Sequence, residues 1–168
     1  MTFICFGNII KISNKKEFKG DVFNMNKWKE IRNKHQEEYN NFEGKFFAFS
    51  KEQFKKGMKK IGLNENDIDK IVSIGCGGYI LKSREKAYKN MFDKQHEEID
   101  RLIKEDATGE GFIKDMFYYT LSNLEYCISR DDEEVLNYLD LKLEDFKNNK
   151  ALRDGFSFAK KEYLNACY

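Results

Sequence analysis

Proline is absent from these 168 residues, and histidine occurs only twice. The missing proline, together with heavy use of Lys, Asn, Ile and Phe, points to an AT-rich coding sequence, which speaks to source and not to activity. So few histidines argue against a zinc site of ordinary ligand spacing. The cysteines do not rescue one, because Cys5, Cys76, Cys127 and Cys167 lie far apart and none belongs to a C-x-x-C pair. Scattered reduced thiols are the expectation, with no metal and no cofactor. No apolar run approaches the roughly 20 residues that a membrane helix needs. The apolar start, MTFICFGNII, lacks the basic residues and small-residue cleavage site of a signal peptide, so a soluble cytoplasmic protein is expected. An excess of charge is also lacking: 30 basic residues face 29 acidic ones. That balance excludes a strongly basic nucleic-acid footprint and an acidic DNA mimic, except as local patches.

What is present is apolar and aromatic material in quantity, 40% hydrophobic and 15% aromatic residues, enough for one globular domain over residues 1–168 with a real core. The chain is organised around residues 70–104. Two apolar runs, Ile71–Ile74 and Tyr79–Leu81, flank Gly75-Cys76-Gly77-Gly78 and predict a hairpin. Ser83 then opens a strongly periodic segment in which Tyr88, Met91, Phe92, Gln95, Ile99, Leu102 and Ile103 form one stripe, the longest helix of the chain.

Elsewhere, Phe3–Phe6 and Ile9–Ile12 around Gly7-Asn8 predict a second hairpin over residues 2–12. Asn24 or Asn26 is positioned to cap a helix carrying Trp28, Ile31, His35 and Tyr39, with His35 half-buried against a neighbour. Phe46-Phe47-Ala48-Phe49 reads as a buried strand, and Ser50-Lys51-Glu52-Gln53 as a capping box opening a helix with Phe54, Met58 and Ile61 on its apolar face. Ala107–Gly111 breaks the long helix and reads as a hinge or exposed loop. A very apolar helix through Phe112, Met116 and Leu121 follows, then Glu125–Ser129 as a short strand or extended turn. Helices through Val135 and Leu139 and through Leu152, Phe156, Ala159 and Tyr163 complete the chain. A faint echo links Phe46–Ile68 with Glu125–Phe146: in each, a helix closes on an apolar-x-Leu turn, Ile61-Gly62-Leu63 and Leu139-Asp140-Leu141. Reuse of one local solution explains it better than a repeat architecture. The expected fold is α+β, a small antiparallel or mixed sheet of two hairpins and a short strand, packed by four to six helices.

Each candidate for chemistry has a plainer competitor. The glycine loop does not run straight into a helix and matches no phosphate-binding motif, so a tight turn outweighs an anion cradle. Cys76 has no base supplied by the sequence. Asp93, His96, Glu97 and Asp100 share a helix face, but charges opposite an apolar stripe need no metal. Asp131–Glu134 is explained by helix capping. Lys51, Lys55, Lys56, Lys59 and Lys60 are either a solvated helix face or a nucleic-acid contact. Cys76, Tyr79, Tyr118, Tyr119 and Tyr126 are the candidate interface residues, since tyrosine joins apolar area to a hydrogen bond.

Phe46–Ser50, Gly77-Gly78-Tyr79-Ile80, Met91-Phe92 and Glu125-Tyr126-Cys127-Ile128 in combination resemble small uncharacterised proteins encoded by phages and prophages of low-GC Gram-positive bacteria. The resemblance covers about residues 45–159 and leaves the N-terminal hairpin and helix, residues 1–44, outside it. Such proteins have no assigned activity, so no catalytic residue is carried over. What the resemblance implies is a non-enzymatic protein that binds and disables a bacterial defence effector, such as a CRISPR nuclease complex, by stoichiometric contact. The alternative is a phage regulator associated with nucleic acid through the Lys51–Lys60 face.

Overall fold

A computed structural model describes residues 26–167, so the expected hairpin at residues 2–12 lies outside the described residues. The described chain divides into two compact units, residues 39–94 and residues 26–38 with 95–167. Helices α1 (Lys27–Asn40) and α3 (Glu85–Glu105) each lend one end to either unit.

The first unit holds the sheet. Strands β1 (Lys45–Phe47), β2 (Ile71–Gly75) and β3 (Gly78–Leu81) form an antiparallel sheet in the order β1-β3-β2. Phe46 pairs with Tyr79, and Ser73 pairs with Tyr79 from the other side, so these three share a face. Helix α2 (Lys51–Lys60) packs on that face, placing Met58 against Phe46 and Ala48. Its capping residue is as the sequence predicts: the Gln53 amide donates to Ser50 Oγ at 3.2 Å. The Gln53 side chain reaches one residue farther than a standard capping box and accepts from the Phe49 amide at 2.6 Å.

The run Phe46–Phe49 is neither all strand nor buried throughout, since β1 ends at Phe47 and Phe49 lies in a bend. Phe46 and Ala48 are buried, whereas Phe47 is 43% and Phe49 78% exposed. Side chains alternate between sheet faces, and an all-apolar run hides that alternation from a sequence reading.

The second unit is helical: α4 (Phe112–Asn123), α5 (Tyr126–Ser129), α6 (Asp132–Tyr138), α7 (Leu143–Asn148) and α8 (Lys150–Ala166), with parts of α1 and α3. Its core is Phe112, Ile113, Met116, Phe117 and Leu121 of α4 against Leu152, Phe156, Ala159 and Tyr163 of α8. Asn26 caps α1, accepting from the Lys29 amide at 2.9 Å, and its side chain also donates to the Asp115 carbonyl. His35 is satisfied by Glu98 at 2.8 Å, and the stripe residue Gln95 donates to the His35 carbonyl and to Glu38.

Two expectations are corrected and a third is refined. Glu125–Ser129 is not extended: Glu125 and Arg130, both with positive φ, bracket the single turn α5. Eight α-helices stand among the described residues rather than four to six, because α5 and α7 are too short to show a period. Of the two readings of residues 107–111, hinge or exposed loop, the loop holds, with Ala107, Thr108 and Glu110 exposed, and it is tied down by one side chain. The Asp106 carboxylate accepts from the amides of Gly109, Gly111 and Ile113, standing in for the side-chain cap that Gly111 lacks.

The echo resolves into a shared helix ending. In α2 the Leu63 amide bonds back to the Met58 carbonyl across Gly62 at φ +79°. In α6 the Leu141 amide bonds to the Leu136 carbonyl across Asp140 at φ +54°. Both are Schellman closures, reached from a strand in one case and a one-turn helix in the other. No described helix is long and apolar enough to cross a membrane.

Candidate functional site

The β2–β3 turn is tighter than the four-residue loop read from sequence. Gly75 pairs with Gly78 on the strands, leaving Cys76 and Gly77 as the connection. Both have positive φ, +48° and +73°, as a two-residue hairpin turn with native strand twist requires. The glycines also make room for phenylalanine. A Cβ on Gly77 would stand 2.8 Å from the Phe49 ring, and one on Gly78 would stand 3.0 Å from the Phe47 ring and 2.7 Å from Ile74. The Ala48 amide donates to the Gly77 carbonyl at 2.8 Å, tying the segment Phe47–Phe49 to the turn. The loop is thus a platform that holds two exposed rings beside an exposed thiol, Cys76.

Lysines continue this surface. Phe49 is followed directly by Ser50 and α2, on which Lys51, Lys55, Lys56, Lys59 and Lys60 are all exposed. Lys55 pairs with Glu65 at 2.8 Å. Among the described residues, no carboxylate pairs with Lys51, Lys56, Lys59 or Lys60. The near-neutral chain is in fact charge-segregated. Residues 39–94 carry 12 basic against 7 acidic side chains, and residues 26–38 with 95–167 carry 14 against 20. A net charge for the whole chain averages this away.

On the opposite sheet face, Lys45 Nζ sits 4.2 Å from the centre of the Tyr39 ring, buried and without a hydrogen-bond partner among the described residues. Burial, and then the nearby Lys60 charge, lower its pKa. Burial raises the pKa of Tyr39 and Tyr88, whose rings lie 6.4 Å apart.

The candidate tyrosines fare differently. Tyr79 is half-buried in a ring cluster, stacked on Phe46 at 5.2 Å and edge-on to Phe54 at 5.1 Å, so it supports the platform from beneath α2. Tyr118 packs edge-on to Tyr163, and Tyr119 lies 5.2 Å from the Arg32 guanidinium; both remain half-exposed on α4. Tyr126 is corrected from a surface candidate to a core residue, 1% exposed. Its hydroxyl donates to Asp132, whose carboxylate also takes Lys160 at 2.8 Å, and the Lys160 ammonium lies 5.3 Å from the ring centre. Asp93, His96, Glu97 and Asp100 are exposed on α3, and no group of three or more potential ligands able to hold a metal occurs among the described residues. Asp131 caps α6 by accepting from the Glu133 and Glu134 amides.

Two features escape a reading of the sequence. The exposure of Phe47 and Phe49 is one. The other is a thiol cluster in the helical unit, where the Tyr163 hydroxyl donates to Cys127 Sγ at 3.5 Å and Cys167 stands one helical turn beyond Tyr163, near enough to perturb both. The Tyr163 bond, then Cys167 and, more weakly, Arg130, hold the Cys127 thiol below its ordinary value, while burial pushes Cys167 and Tyr163 up. The available clue is spacing: Cys167 falls four residues after Tyr163, on the continuation of the α8 stripe.

No curated protein and no solved structure matches the chain. Residues 27–162, from the first turn of α1 into the last turns of α8, match the profile of a family of unknown function, DUF7659, and the chain belongs to that family.

Proposed function

We propose that this protein acts by stoichiometric binding and not by catalysis, and that its target is a bacterial defence effector, with a CRISPR nuclease complex the first to test. The observation that carries the reading is the pair Phe47 and Phe49, exposed on the glycine platform at the head of a lysine-bearing helix. Exposed rings held against a tight turn match the anchors that dominate protein interfaces, and a cationic surround steers encounter with an acidic partner. The resemblance to phage and prophage proteins supplies the setting. The test mixes the purified protein with purified defence complexes and follows co-elution, alongside phage interference in cells. Binding with loss of immunity is expected, and Phe49→Ala is expected to weaken it about tenfold or more. If no complex binds and immunity persists, the reading fails.

A second reading rests on Lys51, Lys56, Lys59 and Lys60, four exposed cations without carboxylate partners among the described residues, in a unit of net positive charge. A phosphate backbone is the other surface they suit. It requires DNA or RNA binding that falls steeply with added salt, with a slope that loses roughly one unit per lysine replaced by alanine. Gel shifts without a complex at low salt would remove it.

A further inference from the structure

We propose that Cys127 and Cys167 form a peroxide-driven disulfide, with Tyr163 positioning the attacking sulfur. The inference is independent of the binding reading. Three groups from two helices meet here: Cys127 on α5, Tyr163 in the last turns of α8, and Cys167 at the cap of α8. The Tyr163 hydroxyl, on a ring only 9% exposed, donates to Cys127 Sγ at 3.5 Å. Cys167 stands one helical turn beyond Tyr163 at the cap of α8, which brings its thiol toward the same pair. Cys127 is half-buried and Cys167 exposed, so an oxidant reaches the site from solvent while its geometry is set from within. Arg130, in the left-handed conformation, turns back so that its Nε donates to the Cys127 carbonyl at 3.3 Å, which braces the backbone that carries the thiol.

The chemistry balances with hydrogen peroxide, or another hydroperoxide, as oxidant. The Cys127 thiolate attacks the O–O bond, an S–O bond forms, and hydroxide leaves and takes up the proton released by the thiol, giving a sulfenic acid and one water. The Cys167 thiol then attacks that sulfur; an S–S bond forms, the S–O bond breaks, and a second water departs with the Cys167 proton. Two thiols are oxidised by two electrons and one peroxide is reduced to two waters. The product ties α5 to the end of α8.

The test uses the full chain carrying Cys5→Ser and Cys76→Ser, so that only this pair can react. On peroxide treatment we expect loss of both free thiols, a mass lower by two hydrogens, and a Cys127–Cys167 linked peptide pair that dithiothreitol releases. The product should stay monomeric on a non-reducing gel. Cys167→Ser should leave Cys127 as a sulfenic acid that dimedone traps. Tyr163→Phe, with its fold checked by circular dichroism, should slow the first step about tenfold or more, the worth of one hydrogen bond to a thiolate. Both thiols still alkylating after peroxide, a chain-to-chain dimer, or over-oxidation without a link overturns the disulfide. An unchanged rate in Tyr163→Phe overturns the part given to the tyrosine.

Discussion

Asp140 and Cys76 do a glycine's work. Both hold positive φ, +54° and +48°, at a helix ending and a hairpin turn where Gly62 and Gly77 serve in equivalent ways. A side chain in that region is strained, and glycine is not. Asp140→Gly is expected to raise stability by about 0.5–1 kcal/mol, read as a higher denaturant midpoint. Cys76→Gly relieves the same kind of backbone strain, at φ +48°, and should shift the midpoint in the same direction. Glu98 gives a residue-scale test against pH. Lys34 at 2.7 Å and then His35 at 2.8 Å hold its carboxyl below the ordinary value of 4.5. A carboxylate with a depressed folded pKa stabilises fully above the unfolded value and loses that contribution as pH falls through the folded one. Glu98→Gln should therefore lower stability at neutral pH and flatten the acid limb below about pH 4.5, measured by thermal melts across pH.

At the scale of elements, two helical glycines mark where elements come too close for a methyl group. A Cβ on Gly57 would lie 2.0 Å from the Phe46 ring, and one on Gly155 would lie 2.5 Å from Ile113 Cγ2 and 2.7 Å from the Gly109 carbonyl. Alanine gains roughly 1 kcal/mol of helix propensity at either site, but overpacking costs typically 1–3 kcal/mol and more against backbone. Overpacking wins. Gly57→Ala should destabilise by about 1–2 kcal/mol net, and Gly155→Ala by about 2–4 kcal/mol because a carbonyl cannot rotate aside; urea titration of each variant decides it. Neither role was legible in the sequence, since a glycine beneath a ring looks like any weak helix residue. The long-period features were legible: the α3 stripe, the α4 and α8 faces, the Ser50 and Asn26 caps, and the 71–82 hairpin follow from spacing and capping chemistry alone. Short elements failed where no period exists, as at α5 and α7. The platform failed for a different reason. Phe46–Phe49 is apolar at every position, and only pairing with Gly77 and Gly78 decides which rings face outward.

For the molecule as a whole, the division of charge has a consequence in solution. At its isoelectric point, about 7.6, the chain has almost no net repulsion to hold copies apart, yet each copy offers a cationic and an anionic unit. Unlike units on neighbouring copies attract, a head-to-tail contact that need not close into a defined oligomer. Attraction of this kind is screened within about 10 Å at 0.1 M salt. Light scattering near pH 7.6 should therefore show particles that grow on dialysis to low ionic strength and redissolve when sodium chloride is added. Association through Phe47 and Phe49 would respond the other way and persist in salt. The same charges that read as neutral in a composition thus predict a protein that salts in.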